Sequence, residues 1–356
     1  MPDRDGEGRG VDARVIPLAA ANPSNALRRA RRLARGARRP LPGLSASVHP
    51  LPVAPPAPPP PASPSRRADR ATARATDRAT ARAAELVDFL RRRLDGDYAV
   101  DDFGFDRDLA QHAALPLLRP LYERWFRVEV GGIEHVPAEG GALLVANHAG
   151  GLWPLDAAMT ALAVHLEHPA GRHLRPLGAD LIFATAGLGA LTRKLGGTLA
   201  CAADAERLLS RGELVGVWPE GFMGIGKPFR DRYKLQRFGR GGFVHAALRS
   251  QVPIIPVSIV GSEEIHPVLG NARLLARVFD LPYFPLTPTF PWLGPLGLVP
   301  LPSKWHIEFG EPVHTETYGP AAAEDAAVVF DLADRVRETI QSTLYRLLVQ
   351  RRSIWR

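Results

Sequence analysis

Two residues stand out by their place in the chain. His148 follows directly on the apolar run 141–147 (GALLVAN), and Asp156 lies eight residues further on. A short apolar run of this kind reads as a buried strand, and in α/β folds ligands bind at the carboxyl ends of strands. A histidine there with an acid nearby can form a base and its orienter. The carboxylate accepts from one imidazole nitrogen, and the other nitrogen is left to take a proton from a hydroxyl. The bland alternative is a surface loop with a capping aspartate. The pair amounts to two-thirds of a triad without a protein nucleophile. No G-x-S-x-G occurs, and Cys201, the single cysteine, has no evident activating neighbour. The nucleophile is therefore a hydroxyl of the substrate, and the chemistry is group transfer.

A second block, 217–243, again reads as a strand followed by a loop. It gathers Lys227, Arg230, Arg232, Lys234, Arg237 and Arg240 next to Glu220. Fixed positive charge among glycines suits an anion such as phosphate, with Glu220 binding a substrate hydroxyl or locking one of these bases in place. Gly221 to Lys227 spells G-x-x-x-x-G-K, but Pro228 stands where a nucleotide-binding loop needs Ser or Thr, so that motif is set aside. Arg193 and Lys194, before Gly196, either reach a phosphate or form the charged last turn of a helix. His165, His168 and His173 match no metal-ligand spacing and read as a solvated helix end.

The elements that position these residues alternate. Strands are expected at 127–130, 141–147, 174–178, 214–220, 253–260 and 305–310, and helices at 154–166, 204–210, 241–250 and 322–352. Such alternation predicts an α/β layered domain with a central mixed, largely parallel sheet flanked by helices. Two apolar helices, 84–94 and 109–126, precede it, the second with a lipid-facing or interfacial role. The chain thus divides into 1–83, a disordered Arg/Pro-rich tail, 84–126, a helical pair, and 127–356, the α/β domain. Residues 281–302 form a long apolar, proline-broken loop that either docks to lipid or lines an acyl tunnel if exposed, or closes over the core if buried.

Composition agrees with a folded chain: of 356 residues 46% are hydrophobic and 23% charged. The net charge of +8 is unevenly spread. Residues 1–84 hold 16 Arg, no Lys and 6 acids, a net of +10, and the remainder is net −2. The basicity belongs to the tail, which serves as a membrane-surface or nucleic-acid anchor or is an unselected extension; the folded part predicts no specific nucleic-acid partner. One cysteine excludes a disulfide-stapled fold. There is no leader-like start and no continuous apolar run of spanning length, so the expectation is a cytoplasmic protein touching the inner face of the cell membrane peripherally.

Asn147-His148 with Asp156, then Pro219-Glu220-Gly221 after a strand, then VPIIPVSIVG at 252–261, in this order, resemble the glycerophospholipid acyltransferases of the lysophosphatidate acyltransferase type. Looser similarity extends from about residue 85 to 315. The resemblance implies that His148 is the general base on an acceptor hydroxyl, with Asp156 orienting it, and that the hydroxyl attacks the thioester of acyl-CoA or acyl-carrier protein. It places Glu220 and Gly221 in the acceptor-binding block and Pro253 to Pro256 in the strand supporting the pocket. Asn147, Lys227, Arg230 and Arg193 complete the expected substrate-binding set. No metal and no organic cofactor is implied, and membrane lipids are the expected partners. Two departures stand out. Seven residues separate His148 from Asp156 where four are usual, so the loop must bulge. Met223 replaces the arginine common two residues after Gly221, with Lys227 or Arg230 as substitutes. The acceptor is accordingly a lysophospholipid or, alternatively, a neutral lipid such as diacylglycerol; a non-catalytic lipid-binding or membrane-tethering protein is the reading from another class.

Overall fold

The computed structural model describes residues 64–149, 155–185, 187–278 and 280–355. Residues 67–356 form one compact unit, and of the other, 1–66, only 64–66 are described. The expected disorder over 1–63 therefore lies outside the described residues, as do residues 150–154 of the loop between His148 and Asp156.

Helix α1 spans Pro64–Asp95. The Arg-Ala-Thr near-repeat, expected in the tail, is thus helical: alanine and arginine are strong helix formers, and neither Gly nor Pro interrupts 65–95. It is not an apolar helix. Phe89 is buried, while Leu86, Val87, Leu90 and Leu94 stay exposed. Its last turns are tied down by ion pairs, Arg93 to both oxygens of Asp106 at 2.5 Å and Arg92 to Asp108 at 2.6 Å. Asp106 in turn caps the next helix, α2 (107–125), by accepting from the Leu109 N–H.

Two π-helical turns, Ala110–Ala114 and Leu121–Trp125, interrupt α2 on either side of a segment containing Pro116 and Pro120. Proline removes a backbone donor and crowds the preceding turn, and the wider turns accommodate it. Tyr122 and Phe126 are buried, and Leu115, Leu118 and Leu121 pack on the same core. The helix expected to face lipid therefore commits one face to the domain, leaving Leu117 outward.

Seven of the nine strands form the main sheet: β1 (Glu129–Gly131), β2 (Ala142–Ala146), β3 (Leu174–Gly178), β4 (Thr198–Leu199), β5 (Leu214–Val217), β6 (Ile254–Val260) and β9 (His306–Phe309); β7 (Gly270–Asn271) and β8 (Pro285–Leu286) pair separately. The order is β1-β9-β6-β2-β5-β3-β4, and neighbours are parallel except β6 against β9. The sheet is mixed and largely parallel, as expected.

Helices cover both faces: α3 (Leu155–Glu167), α6 (Ala202–Ser210), α8 (Gly242–Ser250) and α10 (Ala326–Gln350), with shorter α4 (Asp180–Ala184), α5 (Leu188–Lys194), α7 (Gly221–Ile225) and α9 (Arg273–Val278) at the loops. Strand alternation splits the core in two. Leu143, Val145 and Val215 meet Leu209 of α6, Leu248 of α8 and Val336 and Ile340 of α10. Leu144, Leu214, Ile255 and Ile307 face Met159 and Leu162 of α3 together with Phe126 and Trp305. Each such side chain contributes about 1.5–3 kcal/mol on burial, which fixes the register that carries His148 to the carboxyl end of β2.

The long loop 281–302 is buried in part and exposed in part. Pro285 and Thr287 are buried, whereas Trp292, Leu293 and Leu296 are exposed.

Candidate active site

Strand β2 ends at Ala146, and the next residue continues the ladder with its side chain. Asn147 is fully buried; its Oδ1 accepts from the Ile259 N–H at 2.7 Å, and its Nδ2 donates to the Ile259 carbonyl at 3.0 Å. Both polar ends of the amide are thus spent on β6. Asn147, expected among the substrate-binding residues, ties two strands together.

His148 comes next. Its backbone N–H donates to Glu220 Oε1 at 2.9 Å, and Glu220 Oε2 accepts from the Gln236 N–H at 2.6 Å. Glu220 follows β5, so the carboxylate bridges the ends of β2 and β5 to the loop beyond. The His148 ring lies with Nδ1 2.6 Å from Asp156 Oδ2. Asp156, in the first turn of α3, is fully buried. Its Oδ2 also accepts from the Ala149 N–H, and its Oδ1 from the Ala157 N–H, both at 2.9 Å. With the carboxylate accepting three donors, Nδ1 carries the hydrogen and Nε2 is the acceptor nitrogen. Among the described residues nothing hydrogen-bonds to Nε2. Despite the seven intervening residues, His148 and Asp156 are within hydrogen-bond reach.

The cationic block is only partly gathered here. The Lys227 side chain is 2% exposed, with Nζ 3.4 Å from Glu220 Oε2 and 3.2 Å from Glu263 Oε1. Two carboxyl groups satisfy this ammonium, which is the locking role open to Glu220 from the sequence. Burial pushes the Glu263 carboxyl up to about 7, against the pull of Lys227. Arg230 is exposed and pairs with its neighbour Asp231, and Arg193, at the end of α5, lies over the Phe183 ring at 4.7 Å. Neither hydrogen-bonds to the histidine cluster. Gly221 opens α7 with φ +53°, a conformation that favours glycine.

Several neighbours of the site carried no signal in the sequence. Gly224 packs against His148 so closely that an added Cβ would lie 2.8 Å from the His148 carbonyl oxygen and 3.0 Å from its Cβ. Trp218 sits beside the imidazole, ring centroids 6.1 Å apart, and its buried Nε1 has no partner among the described residues. Burial and the nearby Asp156 charge raise the Tyr283 hydroxyl well above the usual phenol range. A glycine three residues after another, a tryptophan and a tyrosine in an apolar loop are common in any core, so only folding reveals them.

The histidine trio is packed, contrary to the solvated helix end expected. His168 bonds the Val136 carbonyl at 2.9 Å, His165 bonds the Gly171 carbonyl and stacks on His173, and burial takes His173 down to about 4. No helix among the described residues is long and apolar enough to cross a membrane.

The family described as Acyltransferase matches residues 127–260, which hold His148, Asp156 and Glu220. An uncharacterized protein of Mycobacterium tuberculosis is 57% identical over 294 residues, covering 82% of each chain, and one of Mycobacterium leprae is 59% identical over 272 residues, 76% of this chain and 74% of its own. A Bos taurus protein described as a DGAT1/2-independent enzyme synthesizing storage lipids is 25% identical over 225 residues, 62% of this chain and 60% of its own. Among solved structures, the 1-acyl-sn-glycerophosphate acyltransferase of Thermotoga maritima aligns with a TM-score of 0.43 at 21% identity, over 70% of this chain and 85% of that one. With a family match that spans His148, Asp156 and Glu220 and mycobacterial relatives 57% and 59% identical over the aligned residues, the chain belongs to the acyltransferase family.

Proposed function

We propose that the protein transfers a fatty acyl group from a thioester, acyl-CoA or acyl-carrier protein, to a hydroxyl of a glycerolipid. The observation that carries this is the 2.6 Å contact between His148 and Asp156. An acceptor hydroxyl donates to His148 Nε2; as its oxygen attacks the thioester carbonyl, the proton passes to Nε2 and Asp156 stabilises the imidazolium. Collapse of the tetrahedral intermediate breaks the C–S bond, and the imidazolium returns its proton to the leaving thiolate, giving an ester and a thiol. The steps so written call on no metal and no organic cofactor. A dyad within hydrogen-bond reach also favours this reading over a non-catalytic lipid tether.

The preferred acceptor is a lysophospholipid. A second reading, a neutral acceptor such as diacylglycerol, is favoured by one feature: Lys227, offered as a phosphate ligand in place of Met223, is engaged by two carboxyl groups. The wording attached to the Bos taurus relative points the same way. Substrates of either kind reside in membranes, and the exposed Trp292, Leu293 and Leu296 suit peripheral contact with a lipid surface on the cytoplasmic side. The test is transfer from labelled acyl-CoA and acyl-carrier protein to lysophospholipids, neutral glycerolipids and glycerol 3-phosphate. Ester formation with one acceptor class supports the proposal and names the acceptor; no ester with any acceptor, from folded protein, sinks it.

Gly224 offers a sharper check on the geometry. Gly224→Ala pushes His148 and Glu220 apart, since its Cβ would also lie 2.7 Å from Glu220 Cβ. A displacement of the base by about 1 Å is expected to lower kcat about 100-fold. Gly226→Ala, whose Cβ meets its nearest atom, the Phe222 carbonyl oxygen, at 3.2 Å, serves as the milder control. Steady-state kinetics with equal rates for both variants would contradict this placement of the base.

A further inference from the structure

A cavity of about 540 Å³ lies apart from His148, which is not among its lining residues. It is a groove between the loop 237–241 with the start of α8 and the first half of α10. Its floor is apolar: Val329 is buried there, and Gly241 lies so close that a Cβ would fall 2.7 Å from Val329 Cγ1. Its walls are cationic. Arg237, Arg240 and Arg337 all line it, with His245 among them and Asp334 as the single acid. Arg337 is turned toward the carbonyls of Leu235 and Gln236 at 3.3 and 3.4 Å. Arg237 and Arg240 have no hydrogen-bond or ion-pair partner among the described residues, and both are exposed. At the rim Phe330 presents its ring to solvent.

Guanidinium groups without carboxylate partners, over an apolar floor and beside an open aromatic face, suit a phosphate-bearing ligand with a flat or apolar body. The volume is that of a site for a small molecule. The groove is also wired to the base: the residue before Arg237 is Gln236, whose N–H bonds Glu220, whose other oxygen holds the His148 N–H. An acceptor phosphate sits only a few bonds from the hydroxyl to be acylated and so belongs beside His148. A donor whose phosphates lie a long flexible arm away from the reacting carbonyl fits a groove set apart from it.

We propose that this groove holds the phosphorylated nucleotide end of a coenzyme A thioester, with Arg237 and Arg240 on its phosphates and Phe330 against its base. The pantetheine arm then runs past Gln236 and Glu220 to His148. This rests on the proposed reaction having a coenzyme A donor.

Calorimetric binding of coenzyme A, pantetheine, inorganic phosphate and a short-chain lysophosphatidate to the full chain tests it, using His148→Ala protein so that no turnover intervenes. Arg237→Ala/Arg240→Ala is expected to weaken coenzyme A binding about tenfold or more and to leave pantetheine binding unchanged. Phe330→Ala weakens coenzyme A alone by a smaller factor. In turnover, the double variant raises KM for acyl-CoA, leaving kcat and the acceptor KM unmoved. Equal coenzyme A affinity in the double variant overturns the assignment. So does wild-type-like binding of lysophosphatidate that needs the same two arginines, or coenzyme A binding no tighter than phosphate. Arginine-dependent coenzyme A binding in protein that transfers no acyl group would leave the groove standing and overturn the proposed reaction instead.

Discussion

His148→Ala is expected to remove acyl transfer almost completely, lowering kcat by roughly 10²–10⁴-fold, the usual contribution of a positioned general base. Folding should survive. The side chain is 14% exposed, and the bond that places the residue, from its backbone N–H to Glu220, does not involve the imidazole. Asp156→Asn is the companion. The aspartate accepts three donors on two oxygens, and an asparagine amide must turn its NH₂ toward one set of them. Either His148 loses its Nδ1 partner or the Ala157 N–H does, so activity falls through misorientation and stability falls as well. Kinetics and thermal melts on both variants decide it. A His148→Ala enzyme keeping more than about a tenth of wild-type kcat would exclude the base role.

The second large effect is on stability. Lys227→Met leaves Glu220 and Glu263 facing each other without the ammonium between them. Breaking a buried pair by removing one partner costs about 3–5 kcal/mol. The penalty should depend on pH in a definite direction. Glu263 titrates at about 7 in the folded protein, above its ordinary value of 4.5. A raised carboxyl of this kind favours the fold fully below about 4.5, and that contribution is lost as pH rises through about 7. Without Lys227 the Glu263 pKa climbs further, so near pH 5 the carboxyl is neutral and only Glu220 feels the loss. By pH 8 both carboxyl groups resist burial. Urea unfolding at the two pH values is expected to show the larger penalty at pH 8; a penalty independent of pH would mean that Glu263 does not share the buried site.

Much of this architecture was legible because burial writes itself into short apolar runs. GALLVAN, LVGV and PIIPVSIV each became a central strand, and the break after the first placed His148 at the strand end. What could not be read were effects of contacts distant in sequence. Asn147 meets Ile259 across 112 residues, and nothing in either segment signals that the amide is a strand bridge rather than a ligand for substrate. For Lys227 the sequence left two readings open, a phosphate ligand or a base locked by Glu220; its second carboxyl partner, Glu263, comes from a separate loop that nothing nearby in sequence signals. Arg230 and Arg193 share its residue class but remain outside the cluster. The helical character of 64–83 was hidden for another reason: a polar helix has no apolar stripe, and propensity alone identifies it.

The histidine is held from three directions at once, by β2 in sequence, by β6 through the Asn147 amide, and by the carboxylate that follows β5. None of these attachments exists until its strand is in register. The site is therefore complete only when β2, β5 and β6 are paired. Catalytic competence and the most protected backbone amides then belong to one cooperative unit. Mutations that weaken the pairing of β2 with β5 or β6 then lower activity and the protection of the central strands together.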